Sequence, residues 1–228
     1  NTVTSNTNSA ICVYAAGSTV VTADVSDNSI AGGGTYGVYT YSSGDGPANV
    51  TVSSNDVSER GYGYYIRTDT DGLLTGTFSN NSAHDNTISG FLIQSYADSQ
   101  LDIDRSYNTS QDNGSQGFQA LSVGNSQLTL DFDNNVADNN TGGWVHGFYV
   151  MSQQSSVSNI TLTNNVASNS DMDGYLTDLL TDNVVLEGTL SGSWPAAHTS
   201  GAIDGFITGH HNYIRIHATD DARHGGRW

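Results

Sequence analysis

Lysine is absent from this 228-residue chain, while proline and glutamate occur twice each and cysteine occurs once. A single cysteine excludes an internal disulfide framework. No apolar run approaches the roughly 18 residues that a membrane-spanning helix needs. The chain has six arginines and 23 acidic residues, and the resulting net charge of -17 repels nucleic acids. We therefore expect neither a nucleic-acid partner nor a membrane span in this chain.

Glycine, asparagine and aspartate are abundant instead, with 26, 22 and 21 copies. Asp and Asn favour turns because their side chains bond the local backbone and because they tolerate left-handed conformations. Salt adaptation is the alternative explanation for an acidic surface, but it should recruit Glu as well as Asp. The composition therefore indicates a chain with many turns.

A unit of about 27 residues repeats along the sequence. Each unit contains a small residue followed by an apolar one, and successive units are 27, 26, 27, 27, 30, 27 and 31 residues apart. The small residues are Ala10, Gly37, Gly63, Gly90, Gly117, Gly147, Gly174 and Gly205. Most units also carry an asparagine before that position, at Asn28, Asn55, Asn81, Asn108, Asn135 and Asn165. Such a period is the signature of a repeat architecture.

Alternation within each unit predicts short strands with an inward and an outward side. The first and third positions after the glycine, such as Phe91 and Ile93, are never charged. A second alternating run, such as Leu130 and Phe132, precedes the asparagine, and a shorter run follows it. Hairpin turns and intervening helical patterns are both missing. We predict an all-β solenoid of eight coils, in which like residues stack roughly 4.8 Å apart in parallel sheets.

The stacked positions predict two kinds of ladder. Aromatic rings should stack at the position after the glycine, and amides should stack at the asparagine corner. Asparagine tolerates a left-handed backbone, so we expect the corner asparagines themselves to adopt it. Their side chains should bond the asparagines above and below.

Residues 134–150 and 164–175 resemble repeats of right-handed parallel β-helix proteins, the pectate-lyase-like superfamily. The resemblance covers nearly the whole chain. It implies one right-handed parallel β-helix domain over residues 1–219, followed by a C-terminal tail or cap at 220–228. Members include polysaccharide lyases, glycoside hydrolases, epimerases, phage tailspikes and adhesin passengers. The resemblance therefore implies an extracellular or cell-surface location without selecting one activity.

Lyases of that superfamily typically use a Lys or Arg base beside carboxylates that hold calcium. The absence of lysine excludes a Lys base, which leaves Arg67 and Asp69 as the candidate catalytic residues. Asp69 and Asp71, and the similarly spaced Asp171 and Asp173, are the candidate ligands of a hard cation such as Ca²⁺. A polar turn that ends in glycine is the alternative explanation of both aspartate pairs.

Other reactive side chains lack the neighbours that catalysis needs. Cys12 lies at an outward strand position without an adjacent base, so we predict an unreactive thiol. Five histidines lie within the last 31 residues, but no tight three-ligand spacing with a carboxylate stands out. These histidines are His198, His210, His211, His217 and His224. A polar terminal coil is the preferred interpretation.

Tyrosines are concentrated at the outward positions of the strand that follows the glycine. They are Tyr14, Tyr39, Tyr41 and Tyr65 in three successive coils, with Tyr149 further along. An exposed aromatic row can contact sugar rings with its ring faces and hydrogen-bond sugar hydroxyls with its own. These five tyrosines are the candidate glycan-binding residues. The preference of tyrosine for exposed strands is the alternative explanation.

Two functions from different classes are open at this point. One is a structural or adhesive surface module that presents its side faces to glycans or partners. The other is a polysaccharide-active enzyme, a lyase or hydrolase, that acts on an extracellular glycan. Regular coils with few insertions and the missing Lys base favour the module. Residue 1 begins inside a coil, so we also expect a longer parent chain or self-association through an uncapped end.

Overall fold

The computed structural model describes residues 1–172, 174–179, 184–190, 202–204 and 213–218, with side chains through 172 and at 174. These residues form 23 strands in three parallel sheets, which we call sheets I, II and III. The predicted tail at 220–228 lies outside the described residues. No helix in the described ranges has the length and apolar character needed to cross a membrane.

The strand bounds are as follows. Sheet I contains β1 (Thr2–Thr4), β4 (Ser29–Ala31), β7 (Asp56–Ser58), β10 (Ser82–His84), β13 (Thr109–Gln111), β16 (Val136–Asp138) and β19 (Val166–Ser168). Sheet II contains β2 (Ser9–Ala16), β5 (Tyr36–Ser43), β8 (Tyr62–Asp69), β11 (Phe91–Ala97), β14 (Phe118–Gly124), β17 (Phe148–Gln154), β20 (Tyr175–Leu179) and β22 (Ala202–Asp204). Sheet III contains β3 (Val21–Ser26), β6 (Pro47–Ser53), β9 (Leu73–Ser79), β12 (Gln100–Ser106), β15 (Gln127–Asp133), β18 (Val157–Thr163), β21 (Val184–Leu190) and β23 (Tyr213–Ala218).

The chain visits sheets I, II and III in turn, and each strand pairs with its equivalent in the next coil. Phe91 of β11 pairs with Phe118 of β14, and Leu101 of β12 pairs with Leu128 of β15. The predicted parallel solenoid with about 27 residues per coil is therefore confirmed. Strands β1 to β18 make six complete coils, and β19 to β23 continue the same sheets. The prediction of eight coils is slightly high by this count.

The core is a narrow column filled by the inward rows of the three sheets. In sheet II the rings of Tyr64, Phe91, Phe118 and Phe148 stack one coil above another. Their centroids are 4.5, 4.7 and 4.8 Å apart, close to the spacing of neighbouring strands. All four side chains are buried. The predicted aromatic ladder is thereby confirmed.

The repeated glycine before this ladder is required by space. A Cβ on Gly37 would lie 2.2 Å from Cγ1 of Val57, and one on Gly63 would lie 2.7 Å from Cβ of Ala83. Val57 and Ala83 are the inward residues of β7 and β10, so sheet I packs directly against these glycines of sheet II. Any larger residue would push the two sheets apart and widen the column.

The asparagine corner forms a continuous hydrogen-bond ladder, as predicted. Each side-chain Nδ2 donates to Oδ1 of the equivalent asparagine one coil on, over distances of 2.8 to 3.0 Å. The ladder runs through Asn1, Asn28, Asn55, Asn81, Asn108, Asn135 and Asn165. The same Oδ1 atoms also accept backbone N–H groups, as between Asn55 and Asn81. The buried amides are therefore paired along the whole described ladder.

The left-handed residue of this corner is the one before the asparagine, so the prediction for the asparagines themselves is wrong. The residues with positive φ, between 53° and 57°, are Asp27, Ser54, Asn80, Tyr107, Asn134 and Asn164. That residue makes the bend, and the asparagine after it directs its side chain into the column of amides.

A second, shorter amide ladder was not predicted. Asn86 Nδ2 donates to Asn113 Oδ1, and Asn113 Nδ2 donates to Asn140 Oδ1, both at 2.9 Å. This ladder lies at the corner between sheets I and II. Arg60 occupies the equivalent place one coil earlier, where its backbone N–H donates to Asn86 Oδ1 and its guanidinium donates to the Asn6 carbonyl.

Arg105 is the one inward position of sheet III in the continuously described coils that carries a charge. It pairs in register with Phe78 and Phe132 and is 1% exposed. Its guanidinium lies 4.4 Å from the centroid of the Phe132 ring, and none of its three nitrogens has a hydrogen-bond partner. Burial lowers the pKa of Arg105 to about 9. An unpaired buried charge of this kind is destabilising.

We expect the substitution Asn81→Ala to lower the free energy of unfolding by about 3 kcal/mol or more, because several buried partners lose their hydrogen bonds. Urea denaturation measures the change. Asn49→Ala is the matched control, because Asn49 is exposed on β6 and should change stability by only about 0.5 kcal/mol. Equal losses in the two variants would contradict a stabilising ladder.

We expect Arg105→Phe to raise the midpoint of thermal unfolding, because it removes the unpaired charge and continues the row of Phe78 and Phe132. Arg105→Leu should act in the same direction, since Leu162 stands in that row in a later coil. The unfolded chain holds the Arg105 proton more tightly, so the wild-type chain should recover part of the difference above about pH 9. A lower midpoint for both variants would show that the arginine stabilises the core.

Candidate ligand-binding face

The outer faces of sheets II and III differ sharply in composition. Most outward residues of sheet III are short and polar, and include Thr22, Asp24, Asn49, Thr51, Thr75, Thr77, Asp102, Asp104, Thr129, Asp131, Asn159 and Thr161. Those of sheet II are larger and less polar, and include Tyr14, Tyr39, Tyr41, Tyr65, Leu92, Leu121, Val123, Tyr149 and Met151. An outer face with large aromatic and aliphatic side chains on one side of a polar rod marks the candidate site.

Six tyrosines of the first three coils form one continuous group on sheet II, which we call the tyrosine cluster. Its members are Tyr14, Tyr36, Tyr39, Tyr41, Tyr62 and Tyr65. Neighbouring ring centroids are 5.0 to 6.0 Å apart, and most pairs are stacked. The cluster follows from the same register that stacks the core, since Tyr39 pairs with Tyr65 and Tyr14 with Tyr41.

The orientation of the rings decides how this cluster can bind a ligand. Tyr39 and Tyr65 lie on adjacent strands with centroids 5.1 Å apart and ring planes 12° apart. This separation matches the strand spacing, so the ring faces are directed along the solenoid axis and cover one another. Tyr39 and Tyr41, which are half-buried, therefore present ring edges rather than ring faces to solvent. The expected contact between ring faces and sugars is therefore restricted to the end of the stack, where Tyr14 is 59% exposed.

The predicted tyrosines are thus only partly brought together. Tyr14, Tyr39 and Tyr41 are in the cluster and reach solvent, whereas Tyr65 is only 7% exposed, which corrects the expectation of a fully exposed row. Tyr149 lies three strands beyond β8 and stacks on His146 with centroids 5.7 Å apart. Tyr149 is therefore separate from the cluster.

Sequence reasoning missed Tyr36, Tyr62 and Tyr96. Tyr36 and Tyr62 stand directly before the repeating glycines and three residues before Tyr39 and Tyr65. Their side chains turn onto the outer face, where Tyr36 stacks on Tyr39 at 5.1 Å and on Tyr65 at 5.0 Å. The repeated Tyr-Gly pair was the available signal.

Arg67 and Asp69 border the cluster and contact each other. Nη2 of Arg67 donates to Oδ2 of Asp69 at 2.5 Å, and the guanidinium lies over the rings of Tyr41 and Tyr96 at 5.9 and 5.0 Å. Burial favours the neutral form of Arg67, but the hydrogen bonds and charges of Asp69 and Tyr65 outweigh it and raise the pKa of Arg67. A raised pKa disfavours Arg67 as a general base.

The four aspartates predicted to bind a cation have other partners or lie apart. Asp69 is paired with Arg67 and also accepts the backbone N–H of Thr70, while Asp71 is exposed. Asp171 accepts the backbone N–H groups of Gly142 and Gly143 at 2.8 Å, which lowers its pKa. Asp173 lies outside the described residues. In the ranges that the structure describes, no three His, Cys, Asp or Glu side chains are close enough to hold a metal ion.

The remaining sequence candidates are placed as follows. Cys12 is exposed on β2, and partial burial of its thiol raises the pKa, which favours the unreactive thiol form. The five late histidines lie outside the part of the chain with described side chains.

We expect the tyrosine cluster to make the fold sensitive to alkali. Burial, followed by neighbouring phenol groups, raises the pKa of Tyr39 and Tyr62 above 10 in the folded chain. Their contribution to stability is complete below about pH 10 and is lost as the pH rises above that value. Tyr39→Phe should therefore move the alkaline unfolding midpoint, followed by circular dichroism, to higher pH. Tyr107→Phe, at an exposed corner outside the cluster, should leave it unchanged.

Comparisons with known proteins bear on the fold and leave the ligand open. The family described as "right handed beta helix region" matches residues 1–189. Neither a curated protein nor a solved structure matches the chain. The match covers most of the sequence and agrees with the stacked parallel sheets. The chain belongs to the right-handed β-helix family.

Proposed function

We propose that this protein is an extracellular or cell-surface β-helix module that binds a glycan through the outer face of sheet II. One observation carries the proposal: the tyrosine cluster lines up ring edges and phenol hydroxyls across three successive coils on a single face. The polar outer face of sheet III has no such feature in the described coils.

The cluster suits a ligand with many hydroxyl groups. Each phenol hydroxyl can both donate and accept a hydrogen bond, and so can each sugar hydroxyl. Gln94 extends this polar edge, and its Oε1 accepts the Tyr65 hydroxyl at 2.5 Å. Stacking fixes the rings before a ligand arrives, so little side-chain entropy is lost on binding. The free face of Tyr14 offers one stacking position at the end of the row.

Binding is favoured over catalysis at this face by the state of Arg67. A lyase base must release its proton to act, whereas Asp69 and Tyr65 hold the proton on Arg67. Asp69 in turn is occupied by the guanidinium and by the Thr70 backbone. The pair therefore behaves as a fixed structural ion pair beside the cluster, and we propose no reaction for it.

We expect the double substitution Tyr39→Phe with Tyr41→Phe to weaken glycan binding by roughly ten- to thirtyfold, since two hydroxyl contacts of about 1 kcal/mol each are lost. Both rings and their stacking are retained, so the fold should remain intact. Retention on a glycan array, followed by titration of the best-retained glycan, measures the effect.

Tyr107→Phe is the matched control, because it removes a phenol hydroxyl from an exposed tyrosine on another face. It should bind as the wild-type chain does. Equal binding by the double variant and the wild-type chain would place the glycan site elsewhere, and an array without any retained glycan would reject the proposed function.

A further inference from the structure

We propose that the glycan bound by this face is uncharged and that Asp69 sets this preference by neutralising Arg67. This inference rests on the proposed function and adds the class of ligand to it. Three kinds of observation support it, namely the inventory of cations near the cluster, the contacts that immobilise the cation found there, and the carboxylates at the neighbouring corner.

Arg67 is the only arginine at the surface in the part of the chain with described side chains. Arg60 is 1% exposed, and its guanidinium donates to the carbonyls of Asn6 and Ala31. Arg105 is enclosed in the core column. Because the chain has no lysine, Arg67 is the one Lys or Arg side chain that the described part of this face offers to a carboxylate.

The contacts of Arg67 leave it poorly placed to bind a ligand carboxylate. Nη2 is taken by Asp69, Nη1 lies 3.5 Å from the Tyr65 hydroxyl, and the guanidinium is positioned over two tyrosine rings. Bidentate recognition of a carboxylate needs two free parallel N–H groups. Nε is buried, so a uronate would have to approach the Nη1–Nη2 edge. There Asp69, which the Thr70 backbone also holds, already shares Nη2 and repels a second carboxylate.

The carboxylates at the corner that follows sheet II oppose an anionic ligand as well. Asp45, Asp71 and Asp98 stand at the corner between sheets II and III in three successive coils, and all three are exposed. With a net charge of -17, the surface repels a polyanionic polymer. The same carboxylates readily accept hydrogen bonds from neutral sugar hydroxyls.

Pairs of glycans that differ only at C6 test this inference. The probes are galactan and glucan oligosaccharides, and the galacturonan and glucuronan oligosaccharides of the same linkage and length. The wild-type chain should bind a neutral member at least about tenfold more tightly than its uronate counterpart. The uronate lacks the C6 hydroxyl that can donate to a surface carboxylate, and one hydrogen bond to a charged group has that size. Calorimetric titration at low and at high salt gives both affinities.

The decisive variant is Asp69→Asn, which keeps the size of the side chain and leaves the charge of Arg67 unpaired. Uronate binding should rise about tenfold or more, and high salt should suppress the gain. Asp102→Asn is the control for net charge, because Asp102 is exposed on the outer face of sheet III, away from the tyrosine cluster. It should not produce the gain. Arg67→Gln combined with Asp69→Asn should abolish it.

Each outcome decides a separate question. Equal wild-type affinity for neutral and uronate partners overturns the inference and leaves the proposed function standing. An Asp69→Asn variant that folds, as judged by thermal unfolding, and gains no uronate affinity also overturns the inference. If the wild-type chain binds no member of either series, the proposed function fails and the inference falls with it.

Discussion

The structure depends on keeping equivalent residues of successive coils in register. The column is so narrow that each inward row holds one residue per coil, and the glycine corners leave no room even for a Cβ between sheets I and II. Backbone pairing alone does not fix which residue lies above which, because a parallel ladder can form in any register. The buried asparagines fix it, since a shift by one residue would leave their amides unpaired in the column.

The same register generates the outer face. Tyrosines at equivalent outward positions meet because their strands are in register, and they then cover one another's ring faces. Inside the core, stacked rings fill the column. On the outer face of sheet II, stacked tyrosines form an ordered row that also carries hydroxyl groups. The Arg67–Asp69 ion pair borders this row and contributes no net charge to it. Fold and candidate site are therefore two results of one stacking rule.

Much of this arrangement could be predicted from the sequence, because period and alternation report the coil length and the side of the strand on which a residue lies. They do not report what lies beside that residue, so the burial of Tyr65 by its neighbours could not be foreseen. The bend before each asparagine was misassigned because both adjacent positions carry turn-forming residues. Asn86, Asn113 and Asn140 were overlooked because their ladder spans only three coils, and Arg105 because strand alternation was judged mainly from apolar positions.

The direction of the asparagine ladder has a consequence for the molecule as a whole. From Asn1 to Asn135, each amide of the long ladder donates towards the next coil, and those of Asn86 and Asn113 in the shorter ladder do the same. The side-chain dipoles therefore add along the axis, with their positive ends pointing to the later coils, and hydrogen-bonded amides in a chain polarise one another further. An antiparallel arrangement of the amides would cancel this dipole. Successive coils of a solenoid run in the same direction, so their equivalent amides stay parallel. The two ends of the described ladder are therefore electrically distinct.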